Sequence, residues 1–499
     1  MALHTYGLPE RWFCALIFIG FGCSTVVGPE NAEEEPTPSV DTYSMDMPTG
    51  VQQTTSIDES DAATRTADSQ SDADKDKPDA SADPNIDNEI SILDSCSSDL
   101  PNVIYVDAHN IQSQDGLSWQ TAYSKIQPAI DTANAIAAKC GRHVAVWVKA
   151  GHYYLYEADA PYGVLVREKV HLYGGFTGNE STANDREIKT SPTILDARAN
   201  ETADLRLPHV AVLEDASVLD GVVLTGGYAG GTGLAGMGGA LMISNASVQL
   251  RNVNFIGNVS ALSGGAVVIK DSDVSIENCH FESNFTDGDG GAVHAENATI
   301  ACTQSTFLDN RAAGYGGAVV AQNTTMTFEK NIFTGNNATG GGAVSAGEST
   351  FTATNSLFAD NTGFFGGAVY LLNYQILSVL NCTFADNYAQ DSGASLLLEI
   401  GNETVSSAIV NSIFAGGYPN ELALNDYADG DSEISILWNA IEGGYAGEGN
   451  IDAAPIFEAD SYMLTEGSPC VNAALDEMAP HDDINGKPRT SADMGAYEL

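Results

Sequence analysis

Two short motifs recur in phase, and no other feature limits the fold of this chain as much. Gly-Gly-Ala begins at Gly238, Gly264, Gly290, Gly316, Gly341 and Gly366, with a degraded Ser-Gly-Ala at Ser392. Phe-x-x-Asn follows at Phe255/Asn258, Phe281/Asn284, Phe307/Asn310, Phe333/Asn336, Phe358/Asn361 and Phe384/Asn387. A fixed period of 25 or 26 residues marks a stacked architecture, in which each repeat buries its apolar face against its neighbours.

Direction can be read within each unit, because alternate residues of a strand point to opposite faces. Just after each Ala stand Leu241, Val267, Val293, Val319, Val344 and Val369; two places on come Ile243, Ile269, Ala295, Ala321, Ala346 and Leu371. These are expected to point inward. A second alternation precedes each Phe, as in Val274 and Ile276, and Asn252, Asn278, Asn355 or Asn381 then breaks the parity. Asn tolerates left-handed backbone, so it suits a corner. Short strands, corners and no helical period predict an all-β fold: a single-stranded right-handed parallel β-helix whose like residues stack roughly 4.8 Å apart.

The paired GGA[ILV] and FxxN motifs over residues 238 to 390 resemble the repeats of chlamydial-type polymorphic outer-membrane proteins, a β-helical family of surface proteins and adhesins. The segments from Trp147 to Tyr153 and from Leu172 to Phe176 resemble the pectate-lyase-like opening of secreted β-helix proteins. GSPCVNAALD and DINGKPRTSADMGAYEL, near the end, resemble a "choice-of-anchor" closing segment.

The flanks extend this picture. An apolar run from Trp12 to Phe21 after Arg11 is too short to span a bilayer and reads as a secretory signal. Gly22-Cys23 resembles a lipoprotein cleavage site with Cys23 as the lipidated residue, and with the chain ending at Leu499 this lipid is the expected membrane anchor. Residues 24–100 are rich in Asp, Glu, Ser, Thr and Pro and predict a disordered acidic tether. The folded part then divides into an N-terminal cap and irregular coils over 101–237, regular coils over 238–392, and closing coils with the anchor-like end over 393–499. Ile126, Ala129, Ile130, Ala133 and Ala137 share one helical face, Ser124 and Gln127 suggest a capping box, and Gly141 can end the helix. Such a helix would cover the open first coil.

A formal charge of −47 excludes nucleic acid as a natural partner, since phosphate binding needs clustered Lys and Arg. No CxxC pair occurs, which argues against zinc. Cys279 and Cys382 fall beside their Phe residues roughly 19 Å apart at the strand spacing, too far to bridge, and read as buried fillers. In an exported chain Cys96 and Cys140 are candidates for a disulfide.

Enzymes that resemble this fold work on the outward face of the sheet that begins at each Gly-Gly-Ala. Its outward rows here are Met242, Val268, His294, Val320, Ser345 and Tyr370, then Ser244, Lys270, Glu296, Gln322, Gly347 and Leu372. Only Lys270, His294 and Glu296 make a polar cluster on adjacent coils. They could do acid/base work, or form a solvated ion pair beside a histidine. Asp360 and Asp386 share a corner position one coil apart, and Asp482, Asp483 and Asn485 have oxygen-ligand spacing; both are Ca²⁺ candidates or solvated turn acids. Tyr153, Tyr154, Tyr156 and Tyr162 cluster near Trp147 as sugar platforms or cap packing. The Gly-rich 226–239 segment reads as a long corner, because no Lys or helix follows it as in a phosphate loop. The expected function is non-catalytic surface display, with adhesion or binding of a glycan or matrix ligand. The alternatives are a polysaccharide lyase or glycoside hydrolase acting near Lys270, His294 and Glu296, and a purely structural envelope protein.

Overall fold

The computed structural model describes Cys96 and residues 100–110, 114–400, 406–426 and 434–499. The signal segment with Cys23 and nearly all of the acidic tether lie outside the described residues. A regular coil consists of three or four short strands; the coil opened by Gly264 runs Val267–Lys270, Asp273–Glu277, His280–Glu282 and Phe285–Thr286, and the coil opened by Gly316 runs Val319–Gln322, Thr325–Glu329 and Ile332–Thr334. Every strand pairs in parallel with its counterpart one coil away, so that Val267 lies beside Leu241 and Val293, and Phe281 beside Phe255 and Phe307. Among the described residues this stacking builds a first sheet of 10 strands, a second of 12, a third of 11, a short fourth of 4 and a pair formed by Thr362–Phe365 and Tyr388–Ser392. The result is a single parallel β-helix.

The two glycines of each Gly-Gly-Ala serve different needs. Gly290 sits at φ +72°, where a side chain is strained. Gly291 has ordinary backbone, yet a Cβ there would lie 2.0 Å from the carbonyl oxygen of Gly317 in the next coil. The degraded copy departs from its sequence reading: Val369 pairs with Leu396, so Gly393 at φ +66° takes the place of Gly366 and the unit is Gly393-Ala394-Ser395. Asn252, Asn278, Asn355 and Asn381 lie in left-handed backbone at φ +47° to +51°, and Gln304 and Lys330 fill the same corner in the coils between. A second left-handed corner, at Asn245, Asp271, Asn297, Asn323 and Asn373, comes before the second sheet.

Inside, the rows predicted to point inward are buried from Leu241 to Leu371. Phe255, Phe281, Phe307, Phe333, Phe358, Phe384 and Phe414 stack with ring centroids 4.6–4.8 Å apart. Beside them the Phe-x-x-Asn asparagines, all buried, form a second ladder that satisfies the backbone where the strand ladder breaks.

The first coil is closed by a helix, α1, over Ile126–Cys140, which buries Ile126, Ala129, Ile130, Ala133, Ile136 and Ala137. Gly141 ends it at φ +61°, donating to Ala137 O. The expected Ser124–Gln127 capping box does not form. Lys125 is the N-cap without a side-chain bond, and Gln127 instead accepts from the Leu165 N–H at 2.8 Å and donates to Asp131 at 2.9 Å. Tertiary docking of the helix onto the Tyr162–Val166 strand claims that side chain.

At the other end the coils run to Ala440–Ile441, and the chain then turns back along the outside of the β-helix. Asn411 donates to Leu475 O, Asn381 to Asp493 O and Asn355 to Asp482 O, at 3.1, 3.1 and 2.8 Å. The returning segment thus docks on the left-handed Asn corner of successive coils.

Candidate functional site

On the first sheet the outward row pairs in register as read from the sequence, with His294 between Val268 and Val320, and Lys270 beside Glu296. Lys270 Nζ lies 2.7 Å from Glu296 Oε2. That hydrogen bond holds the Glu296 carboxyl below the usual range. Burial, aided by Lys270, pushes the His294 imidazole down to about 4. Among the described residues its Nδ1 has no hydrogen-bond partner. At neutral pH, then, neither Glu296 nor His294 holds the dissociable proton that a general acid gives up, and both are weak bases, whereas acid/base catalysis favours groups titrating near the working pH. The three residues are together, as a closed ion pair beside a neutral histidine.

The acids considered for Ca²⁺ meet different fates. Asp360 and Asp386 lie side by side, and the Tyr462 hydroxyl of the returning segment bridges them, 2.8 Å from Asp360 Oδ2 and 3.4 Å from Asp386 Oδ2. Partial burial and the neighbouring Asp360 raise the Asp386 pKa. Asp482 is instead paired with Lys330 at 2.9 Å. Asp483 is buried with Oδ1 accepting from the Asn485 and Lys487 N–H groups and Oδ2 from Glu498 N–H. Asp482, Asp483 and Asn485 therefore form a structural loop and not a converging ligand set. Among the described residues no three His, Cys, Asp or Glu side chains converge as a metal site, where Ca²⁺ takes about 6–8 oxygens.

Cys96 and Cys140 form a disulfide that ties the start of the folded part to the end of α1. Cys279, Cys302, Cys382 and Cys470 are free and buried. Trp147 stacks on Phe176 with centroids 4.6 Å apart, and Tyr153 is buried with its hydroxyl on Lys149 O. Tyr154 is exposed and stacks on His152.

A groove lined by both polar and apolar residues lies on the outer face of the third sheet, where no sequence motif pointed. Its floor is the outward row Val223, Asn254, His280 and Thr306, one residue from each of four successive coils. One wall is the left-handed corner with Asn252, Asn278 and Gln304, the other the loop from Arg186 to Pro192. The cavity measures about 760 Å³. Arg186 is fixed by Asp220 at 3.0 Å and lies over the rings of Tyr173 and Phe176. Asn252 donates to the other Asp220 oxygen at 2.8 Å, and Asn278 donates to Asn252. The signal available in the sequence was the polar run Asn254, His280, Thr306 in register, which gives way to Ile332 and Leu357.

A family model described as "Right handed beta helix region" matches residues 210–358 and 290–419. The chain forms a right-handed parallel β-helix. No curated protein matches it. Among solved structures, pectate lyase Pel9A is similar at 13% identity, over 79% of this chain and 96% of that one, with a TM-score of 0.41. Tailspike protein 3 of bacteriophage CBA120 is 10% identical over 79% of this chain and 70% of its own, with a TM-score of 0.33. PfbA, a surface adhesin of Streptococcus pneumoniae, is 11% identical over 66% and 93%, with a TM-score of 0.25. At these identities and scores none of them bears on what this β-helix does.

Proposed function

We propose that this β-helix is exported and displayed at a cell surface, where it binds glycans or matrix ligands without catalysis. The observation that carries the reading is the state of the Lys270, His294 and Glu296 cluster. Its carboxylate is neutralised by Lys270 at 2.7 Å and its imidazole is held neutral by burial. A strongly acidic chain is repelled by nucleic acid but not by neutral glycans. In this reading the acidic segment before residue 100 is the tether and Cys23 the lipidated anchor; incorporation of labelled fatty acid that persists in Cys23→Ser would remove the anchor from it.

The deciding experiment puts the full chain on a glycan array, with and without Ca²⁺, and assays the same wells for released sugar. Binding without release is expected. Release that disappears in His294→Ala or Glu296→Ala would make the protein a polysaccharide lyase or glycoside hydrolase.

A further inference from the structure

We infer that the groove over Asn254, His280 and Thr306 binds a hydroxyl-rich glycan chain lying parallel to the axis of the β-helix; this rests on the glycan-binding reading and gives it a site. The outward row of the third sheet continues past the groove through Ile332, Leu357, Thr383 and Ile413. This second half is mostly apolar, and the returning C-terminal segment covers it. Ile484 and Ala496 cluster with Leu357, Ile332 and Tyr497 pack against that cluster, and Met494 joins Ile413. Even Thr383 is used, its hydroxyl accepting from Ala496 N–H at 2.9 Å. The protein covers the apolar half of this row and leaves open the half that carries Val223, Asn254, His280 and Thr306.

The chemistry of the open half selects the occupant. An apolar partner would bury the Asn254 and Thr306 side chains without replacing their bonds to water, which is costly, whereas His280 keeps its bond to Glu282 at 3.1 Å. On the covered half, Asn355, Asn381 and Asn411 donate their amides to the docked segment. Asn252, Asn278 and Gln304 hold the same corner position beside the groove, the last two exposed. The floor thus repeats one polar group per coil for three coils beside a line of amides, an arrangement suited to a polymer of like polar units. An extended peptide seeks pockets for alternate side chains instead. The volume is that of a ligand site. Charge narrows the choice to neutral chains: the wall carries the Glu187 carboxylate, bonded by the Thr190 hydroxyl, beside Lys189, and Glu282 pairs with His280 at 3.1 Å.

The test presents the full chain with immobilised neutral polysaccharides, uronic-acid polysaccharides and an extended-peptide library, then measures Kd for the ligand bound. His280→Ala removes a floor group and Thr306→Trp fills the groove; both positions face outward, and circular dichroism and melting check that each variant is folded. About tenfold weaker binding in each is expected, the loss of a ligand hydrogen bond, with Lys270→Ala on the first sheet unchanged. Glycan binding retained by both folded groove variants would overturn the site while leaving the glycan-binding reading intact at another face. Capture of peptides or uronic-acid chains, and not of neutral glycans, would overturn the ligand class. No glycan bound by the unsubstituted chain would sink the reading and the groove together.

Discussion

Asn284 donates both its side-chain Nδ2 and its backbone N–H to one atom, Oδ1 of Asn310 in the next coil, at 3.0 and 3.1 Å. Asn310 in turn donates to Phe281 O and to Asn336 Oδ1. Asn310→Ala would leave two buried donors of Asn284 without an acceptor, and at roughly 1–3 kcal/mol per stranded group it is expected to cost about 3 kcal/mol. Asn310→Asp keeps the acceptor but turns a second one toward Asn336 Oδ1 and Phe281 O, so it should be worse than Ala at neutral pH and partly recover in acid as the carboxyl protonates. Urea unfolding of the three proteins at neutral and acid pH measures both effects.

The paired glycines give a second contrast. A Cβ on Gly291 would lie 2.0 Å from Gly317 O and 2.7 Å from Arg311 N, both backbone atoms that cannot swing away. Gly257, at φ +61°, has nothing within 4 Å of the same position. Gly257→Ala is expected to cost about 1 kcal/mol, the strain of left-handed backbone alone. Gly291→Ala is expected to cost about 3 kcal/mol, because the next coil must shift. Equal losses in urea midpoint would refute the claim that the second glycine is there for close approach.

The repeat made most of this legible. Spacing fixed the inward rows from Leu241 to Leu371, the Phe ladder and the left-handed Asn corner, because each depends on residues one coil away in the same phase. What could not be read depends on contacts across more than a hundred residues. Asn381 meets Asp493 and Asn355 meets Asp482 only because the end of the chain turns back, and no local pattern encodes that return. The same holds for the groove, whose far wall at Arg186–Pro192 comes from an irregular early coil. The Ser124–Gln127 box failed for a related reason: Gln127 found a tertiary partner in Leu165. For Lys270, His294 and Glu296 the sequence showed proximity, but burial and pairing decided their chemistry.

Phe307 lies between Phe281 and Phe333, both ring centroids 4.6 Å away, and is buried. Phe307→Ala is expected to cost about 4 kcal/mol, and Phe307→Leu about 1.5 kcal/mol because volume is largely kept. Since stacking acts only between adjacent coils, a double-mutant cycle on Phe281 and Phe307 should return a coupling of about 1 kcal/mol. The same cycle on Phe255 and Phe384 should be additive. Coupling of equal size in both pairs would mean that the ladder acts as one unit and not neighbour by neighbour.

Glu421 gives the pH dependence its sign. It is 4% exposed, and burial raises its pKa, reinforced by Glu442 and Asp386 and opposed by hydrogen bonds from the Ser395 hydroxyl and the Gly417 N–H. A carboxyl with a raised folded-state pKa binds its proton more readily in the folded than in the unfolded chain, so its ionisation weakens the fold as pH rises through the interval between the two values. The penalty is complete above the folded value and absent below the unfolded one, near 4.3. Gln keeps the carbonyl for Gly417, and the Ser395 hydroxyl can reverse to accept from its amide. Glu421→Gln is therefore expected to raise Tm relative to the unsubstituted protein at pH 8, with the difference vanishing in acid below that unfolded value. A Tm difference that grows as the pH falls would show the carboxylate to be stabilising and reverse the assignment.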